Sequence, residues 1–257
     1  ALSTLLMQNR LRNILGVKQV WLADDATGAG RITSLKSWWD TLVAEGEKCG
    51  YYVNPGKSWI ISKNEEIQTH AKIVFNQSGI KFTTSGKRHL GACIGSQEFK
   101  NEYVNKKVQE WCDEMRQLSS FALDEPQAAF AAFTHGELHR FSYFLRTIPG
   151  MEAYLEPLDM IINDMFIPSL LGHTISEEER QILKRSIKDG GLGIPILTEK
   201  SCIDHESSKI ISAPLVNIII AQGTQLPSKE NIKTVRSERT LQVNDDRKRK
   251  EIHFESN

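Results

Sequence analysis

Long hydrophobic runs and closely spaced cysteines are both missing from this sequence of 257 residues. The longest apolar run, LVNIIIA at 215–221, is much shorter than the roughly 20 residues that a helix needs to cross a bilayer. The four cysteines, Cys49, Cys93, Cys112 and Cys202, form no C-x-x-C pair, which argues against a structural zinc site and a disulfide framework. The sequence therefore predicts no membrane partner and a reducing intracellular location, in the cytoplasm or the nucleus.

An excess of one charge sign is also missing, because 32 lysine and arginine residues balance 32 acidic residues. The balance nevertheless varies along the chain. Residues 1–100 contain 13 basic and 8 acidic residues, 101–222 contain 11 and 18, and 223–257 contain 8 and 6. The mildly basic front part suits a polyanionic ligand, whereas the acidic middle part does not favour strong binding to a nucleic acid duplex.

The first 95 residues alternate between strand-like and helix-like patterns. Apolar and β-branched residues predict strands at 17–22 and 59–61, and helical spacing predicts helices near 34–46 and 64–77. Short β-rich runs at 80–94 predict a hairpin with Gly86 in its turn. Residues 1–95 are therefore expected to form an α+β layer in which helices cover one face of a small antiparallel sheet.

Residues 96–222 are predicted to form an all-helical domain. Apolar residues between 104 and 118 recur at alternating steps of four and three, which is typical of one amphipathic helix. Later helices are expected to begin at Pro126 and at a capping box formed by Ser176 and Glu179.

Residues 223–257 are polar and poor in aromatics, which predicts a disordered charged tail. The segment contains RKRK at 247–250. This basic run is either part of a solvated tail or a nuclear-import or nucleic-acid patch. No internal repeat is present.

The stretch VKQVWLADDATGAG at 17–30 places Asp24 and Asp25 after a predicted strand and before a run of small residues. Two interpretations are open. The pair either lies in a solvated turn, where Asp25 or Thr27 bonds to nearby amides, or it binds a divalent cation, since Mg²⁺ takes hard oxygen ligands. Because adjacent strand residues point to opposite faces, a tight turn would let both carboxylates approach one ion. The small residues would leave room for backbone and ligand.

Three further segments have ordinary structural interpretations when each is taken alone. Lys57 in NPGKSW is typical of an exposed residue at a strand entry. RHLGACIG at 88–95 is typical of a packed hairpin, and GGLG within 189–195 is typical of a turn that needs a positive φ at glycine.

Together, in this order and spacing, these segments resemble the C-terminal part of a reverse transcriptase of the retrotransposon type. LADD resembles the aromatic-x-Asp-Asp box, and GYYVNPGKSWII resembles the lysine-bearing motif that follows the palm helix. RHLGACIG is similar to the primer-grip hairpin, and GGLGI is similar to a motif past the thumb in elements without long terminal repeats. The resemblance covers about residues 17–200. It implies the later part of a polymerase palm in 1–95 and a thumb or connector in 96–222.

The resemblance also implies roles for particular residues. Asp24 and Asp25 would bind Mg²⁺ or Mn²⁺ for nucleotidyl transfer, and Lys57 would approach the triphosphate and protonate the pyrophosphate. His89, Leu90 and Gly91 would support the primer end. The partners implied for the full-length protein are an RNA template, a DNA primer and deoxynucleoside triphosphates.

Two features depart from the family pattern. Leu22 stands where the family usually has an aromatic residue, and only 23 residues precede Asp24, although the family's other metal-binding aspartate lies on an upstream strand. The first residue is Ala1 rather than Met. We therefore expect a fragment of a longer polymerase, with an incomplete active site.

Other functions remain as alternatives. A truncated retroelement remnant would persist as a non-catalytic fold or a nucleic-acid-binding module. A receiver-type phosphotransfer domain also carries an acidic pair after an early strand, but no aspartate occurs between Asp40 and Asp113 to act as its acceptor. A dinucleotide-binding loop is disfavoured because Gly28 and Gly30 lack the third glycine of that fingerprint.

Overall fold

The computed structural model describes residues 5–255, which contain α-helices and three separate pairs of short strands. The helices are α1 (Leu5–Arg12), α2 (Ile32–Lys48), α3 (Glu65–Val74), α4 (Gln97–Ala122), α5 (Pro126–Ala132), α6 (Leu138–Thr147), α7 (Glu156–Ile161), α8 (Ile167–Leu171), α9 (Glu177–Leu183), α10 (Leu197–Ala221) and α11 (Lys229–Glu255). The strands are β1 (Val17–Leu22), β2 (Asp25–Gly30), β3 (Trp59–Ile61), β4 (Lys81–Thr83), β5 (Gly86–His89) and β6 (Ala92–Gly95). An α+β fold class is thereby confirmed at this coarse level.

The strands do not form the single antiparallel sheet that the sequence predicted. β1 pairs with β2 in antiparallel register, and β5 pairs with β6 in a second two-stranded sheet. β3 and β4 pair in parallel, with Trp59 opposite Lys81. The parallel direction follows from the chain path, because α3 lies between these two strands and returns the chain to the same end.

The helices of the first part lie close to their predicted positions. α3 begins as expected after Asn64, whose side chain accepts a hydrogen bond from the Ile67 amide. α2 begins slightly earlier than the predicted position 34, at Ile32. Its apolar face buries Trp38, Trp39 and Leu42.

The helical part follows its predicted pattern more closely. On α4, Val104, Val108, Trp111 and Met115 are buried, as the spacing of the apolar residues predicted. α5 begins at Pro126 and continues through a π-helical turn at Phe133–Glu137 into α6. A second π-helical turn at Ile162–Phe166 joins α7 to α8. Ser176 and Glu179 form the predicted capping box at the start of α9.

The contacts divide the chain into two compact units, each with its own hydrophobic core. Unit 1 comprises 1–87, 94–96 and 212–233, and unit 2 comprises 88–93, 97–211 and 234–257. The core of unit 1 centres on the two α2 tryptophans, and the core of unit 2 on the aromatic residues of α4, α6 and the two π-helical turns. The assignment of 1–95 to a palm, 96–222 to a thumb and 223–257 to a tail stays a prediction.

The C-terminal segment differs from its predicted disorder, because α11 covers Lys229–Glu255. Lysine, arginine, glutamate and glutamine are good helix formers, so a polar composition does not by itself prevent a helix. In unit 2, Arg239 is buried and donates hydrogen bonds to Glu206 and Ser207 of α10. Residues 256 and 257 of the predicted tail lie outside the described residues.

Two expected absences can be checked against the structure. None of the helices within 5–255 is long and apolar enough to span a membrane. The four cysteines are free thiols. The compartment in which the protein works stays a prediction.

Candidate functional site

The aspartate pair lies at the connection between β1 and β2. Leu22 pairs with Asp25, so the hairpin loop consists of Ala23 and Asp24 alone. Ala23 has φ of +54°, a left-handed conformation that is disfavoured for a residue with a Cβ. Two-residue loops with a positive φ at the first position match the right-handed twist of a hairpin. The tight turn predicted for this site is thus present, one residue earlier than the run of small residues suggested.

Both carboxylates of the turn are accessible. Asp24 and Asp25 are exposed, and no ion pair or side-chain hydrogen bond engages their carboxylates within the described part of the chain. Free carboxylate oxygens are suitable ligands for Mg²⁺ or Mn²⁺. However, residues 5–255 contain no group of three or more histidine, cysteine, aspartate or glutamate side chains placed to hold a metal. Within the described residues, the turn therefore offers two carboxylates without a third side chain of these types.

The small residues after the aspartates have a packing role that the sequence interpretation missed. They form β2 rather than open space for a ligand. A Cβ on Gly28 would lie 3.4 Å from Leu35 and from Trp38 of α2, and a Cβ on Gly30 would lie 2.3 Å from the Gly16 carbonyl oxygen. Glycine at these positions therefore lets β2 approach its neighbours closely.

Tyr51 contacts the aspartate turn directly. Its hydroxyl donates a hydrogen bond of 2.8 Å to the Asp24 carbonyl, and its ring packs edge-on against Trp21 with centroids 5.7 Å apart. Partial burial raises the pKa of the Tyr51 hydroxyl, and the negative charges of Asp24 and Asp25 raise this pKa further. The neutral hydroxyl that donates to the turn is thus the favoured form.

Lys57 lies in the same unit but not on a strand. It ends a 3₁₀ turn at Pro55–Lys57, where the Asn54 side chain accepts a hydrogen bond from the Lys57 amide. Its side chain is exposed, and no salt bridge joins it to Asp24 or Asp25 in the described residues. Lys57 thus lies at the entry to a strand, as the sequence predicted, because β3 begins two residues later.

A cationic cluster surrounds Trp59 on β3. The Lys87 ammonium lies 4.1 Å from the Trp59 ring centroid, and that of Lys81 lies 5.5 Å from it. Both distances allow a cation–π attraction. No carboxylate forms a salt bridge with either lysine among the described residues, so the cluster carries uncompensated positive charge.

The hairpin formed by β5 and β6 turns at Leu90 and Gly91, not at Gly86 as the sequence predicted. Both turn residues have positive φ, +48° and +86°, which is the arrangement of a type I′ turn. Glycine suits this conformation, whereas leucine does not. Gly86 instead opens β5, where its Cα would lie only 2.4 Å from a Cβ on Gly95.

Two tyrosines of unit 2 hold the tip of this hairpin. Tyr143 donates a hydrogen bond to the Leu90 carbonyl, and Tyr103 donates one of 2.9 Å to the Gly91 carbonyl. A Cβ on Gly91 would lie 3.1 Å from the Tyr143 ring. The predicted primer-grip residues His89, Leu90 and Gly91 thus form a clamped turn in unit 2, whereas Asp24, Asp25 and Lys57 belong to unit 1.

The GGLG segment within 189–195 follows α9 and packs against the chain just after the end of this helix. The Gly193 amide donates to the Arg185 carbonyl at 2.7 Å, and Gly190 and Gly193 have φ of +80° and +68°. A Cβ on Gly191 would lie 2.2 Å from the Arg185 oxygen. The expected positive φ at glycine is confirmed, and Gly190 caps a 3₁₀ turn at Ile187–Asp189.

Arg180 of α9 ties this segment to the second π-helical turn. It is only 3% exposed, and it donates to the carbonyls of Ile194 and Pro195 at 2.9 Å and to the Asn163 side chain at 2.5 Å. Burial lowers the pKa of the guanidinium, and the negative charge of Asp159 opposes that effect. Neither Arg180 nor Tyr51 was identified from sequence, because each acts through contacts with residues distant in sequence, which no local motif predicts.

Comparison of this chain with models of known protein families, with curated proteins and with solved structures finds no match.

Proposed function

We propose that this chain forms part of an RNA-directed DNA polymerase of the reverse transcriptase type, in which the β1–β2 turn supplies metal-binding carboxylates. The observation that carries the proposal is the turn itself. An antiparallel hairpin with a two-residue loop places Asp24 in the loop and Asp25 at the start of β2, both exposed and outside any ion pair of the described residues. Such oxygens are ligands that Mg²⁺ and Mn²⁺ accept.

The other predicted site residues would serve the substrates. The exposed ammonium of Lys57 is free to contact a triphosphate and to transfer a proton to the pyrophosphate leaving group. The clamped tip at His89, Leu90 and Gly91 would position the primer end of a primer–template pair. Bound divalent ions would activate the primer 3′-hydroxyl and stabilise the leaving group.

The number of ligands limits what these residues do alone. Mg²⁺ prefers six oxygens and usually takes one or two carboxylates with waters and substrate phosphates. Asp24 and Asp25 are therefore expected to hold one ion weakly. Two ions need a further carboxylate, which the proposal assigns to an upstream strand outside these 257 residues.

Primer extension tests the proposal. We expect the 257-residue chain to bind Mn²⁺ weakly and to extend no primer. A polypeptide extended at its N terminus by the upstream coding sequence should extend a DNA primer on RNA. Asp24→Ala should abolish that synthesis, because it removes a metal ligand.

Asp124→Ala is the matched control, since Asp124 is an exposed aspartate in the turn after α4. This variant should keep both Mn²⁺ binding and synthesis. Robust synthesis by the 257-residue chain would refute the need for an upstream carboxylate. Synthesis that survives Asp24→Ala would refute the metal-binding turn.

The cluster around Trp59 favours a second candidate, a non-catalytic nucleic-acid-binding module. Unpaired lysines beside an indole suit a phosphate backbone and a stacked base. Under this alternative, a labelled single-stranded oligonucleotide should bind with strong salt dependence, and Lys81→Gln with Lys87→Gln should weaken that binding without any role for Asp24. Salt-independent binding would contradict it.

The receiver-type alternative gains no support from the fold. Parallel strands require a long crossover connection after the acidic strand. β1 is followed instead by a two-residue loop and the antiparallel β2.

A further inference from the structure

Gln222 adopts a backbone conformation that its residue type disfavours. It follows directly on α10 with φ of +54°, and the Gly223 amide donates to the Ile218 carbonyl at 2.9 Å. Helices that end in this way usually place glycine at the left-handed position. Glycine is the very next residue, yet glutamine occupies the strained position. Strain of this kind persists where surrounding contacts hold it.

The Gln222 side chain supplies that contact by pairing with β1 as a neighbouring strand would. Its Oε1 accepts a hydrogen bond of 3.1 Å from the Gln19 amide, and its Nε2 donates one of 3.0 Å to the Gln19 carbonyl. Both backbone groups of Gln19 thus bond on the edge of β1 that faces away from β2. Nearby, the Lys18 ammonium donates to the Ile220 carbonyl at 2.5 Å, near the end of α10. One side-chain amide therefore pairs both outward-facing backbone groups of Gln19 on the free edge of β1.

Gln19 extends these contacts toward the aspartate turn. Its side chain, in a residue only 7% exposed, accepts hydrogen bonds from the indole N–H groups of Trp21 at 3.1 Å and Trp38 at 3.0 Å. The Trp21 ring packs against Tyr51, whose hydroxyl donates to the Asp24 carbonyl. The path lies wholly within unit 1.

We propose that Gln222 and Gln19 are positioning residues for the Asp24–Asp25 turn. The side-chain amide of Gln222 holds the edge of β1 through the backbone of Gln19. The side chain of Gln19 in turn holds Trp21, which packs against Tyr51, and Tyr51 bonds to the loop. A role of this arrangement in catalysis rests on the proposed polymerase function, but the positioning of the turn by Gln222 and Gln19 does not.

The test compares two identical substitutions, Gln222→Gly and Gln77→Gly. Gln77 also has a left-handed φ, +67°, but it is exposed, and no hydrogen bond of its side chain occurs in the described part of the chain. Both changes relieve the same backbone strain. Only Gln222→Gly removes the pairing with β1. Gln222→Asn is a second variant, because asparagine tolerates this φ but its side chain is one methylene shorter and does not reach Gln19.

The readouts are recorded without metal by NMR: the exchange rate of the Gln19 amide, the amide shifts of Asp24 and Asp25, and the Trp21 indole signal. In Gln222→Gly, exchange at Gln19 should accelerate at least about fivefold, the factor that corresponds to one hydrogen bond, and the turn signals should shift. Gln77→Gly should leave all of them unchanged. If Gln222→Gly does not fold, Gln222→Asn is expected to give the same changes.

Turn signals that stay unchanged in the folded Gln222 variants would overturn the positioning role. A wild-type chain that fails to bind Mn²⁺ would instead contradict the proposed function, while the metal-free shifts would still decide the positioning. In the N-terminally extended polymerase, Gln222→Gly should lower kcat more than it changes KM for the primer, because it displaces the metal-binding turn rather than the primer site.

Discussion

Tyr51 is the residue whose chemistry depends most on the aspartate turn. Its hydroxyl gains a hydrogen-bond acceptor at Asp24 and is surrounded by two negative charges and apolar contacts. Each of these influences favours the protonated hydroxyl. The stability of the hairpin is therefore expected to depend on pH in the alkaline range.

We predict that Tyr51→Phe lowers the free energy of unfolding by about 1 kcal/mol at pH 8, the usual net value of one hydrogen bond. Tyr52→Phe is the matched control, because Tyr52 is 76% exposed. It should change stability by less than about 0.5 kcal/mol. Urea unfolding of both variants measures the difference, and equal losses would contradict the role of the Tyr51 hydroxyl.

The pH dependence of the wild type follows from the raised pKa of Tyr51. Between the ordinary pKa of about 10 and the higher folded value, the folded chain binds more protons than the unfolded chain. The contribution of Tyr51 to the free energy of unfolding is therefore fully present below pH 10. It is lost as pH rises through the folded pKa. The pKa values of Tyr103, Cys93 and Cys112 are also raised by burial, so some alkaline loss should remain in every variant.

Unfolding at pH 8 and at pH 10.5 measures this effect. The wild type and Tyr52→Phe should lose more stability between these values than Tyr51→Phe does. An identical loss in all three chains would show that Tyr51 titrates normally.

At the scale of elements, the end of α9 shows how a glycine-rich motif acts through packing. Gly190 and Gly191 are neighbours in sequence but differ in what they need. Gly190 has φ of +80° and open space around it, whereas a Cβ on Gly191 would meet backbone oxygens at 2.2 and 2.5 Å. The first position thus requires a conformation, and the second requires the absence of a side chain.

We predict that Gly191→Ala destabilises the chain by several kcal/mol, because the clashing atoms belong to the backbone and cannot move aside. Gly190→Ala should cost about 1–2 kcal/mol, the cost of a left-handed φ alone. Thermal or urea unfolding of the two variants gives the comparison. A smaller loss for Gly191→Ala than for Gly190→Ala would contradict the close approach.

Arg180 provides a second test of the same element. Arg180→Met should lower the free energy of unfolding by about 3–5 kcal/mol, because it leaves two buried carbonyls and Asn163 without their donor. Arg146→Met is the matched control, since Arg146 is exposed on α6 and should change stability by less than about 0.5 kcal/mol. Circular dichroism during urea unfolding measures both. A small effect at Arg180 would mean that these hydrogen bonds are replaced by water.

At the scale of the whole molecule, the two hydrophobic cores share no residue. Phe166 is fully buried in the core of unit 2, where its ring centroid lies 4.9 Å from that of Phe133. Truncation there should create a cavity in that core and leave the α2 tryptophans in their own core.

We predict that Phe166→Ala costs about 3–5 kcal/mol in the unfolding of unit 2. Amide hydrogen exchange should accelerate along α4 around Trp111 and change less along α2. Phe121→Ala is the control, because Phe121 is an exposed residue of α4, and it should have little effect on exchange in α2 or α4. Equal acceleration in α2 and α4 would show that the two cores unfold together.

Local patterns in the sequence were sufficient for much of the secondary structure. Asn64, Pro126 and the capping box at Ser176 marked helix starts, because a cap acts within three residues of itself. The strand before Asp24 and the amphipathic helix α4 followed from periodicity in the same way. At 229–255 the polar composition predicted disorder where the structure has a helix, since a segment rich in polar helix-forming residues resembles a disordered segment in composition.

Turn positions and strand pairing were harder to predict from the sequence. The hairpin turn at Leu90 and Gly91 was placed at Gly86, because both glycines fit a turn and the choice depends on which strands pair. The surroundings of the aspartate turn depend on distant contacts. Gln222 meets Gln19 across 203 positions of sequence, and no spacing rule predicts such a meeting. Sequence established that two carboxylates follow a strand. The path of the chain in three dimensions determined which residues hold them, because hydrogen bonds and packing depend on proximity in space.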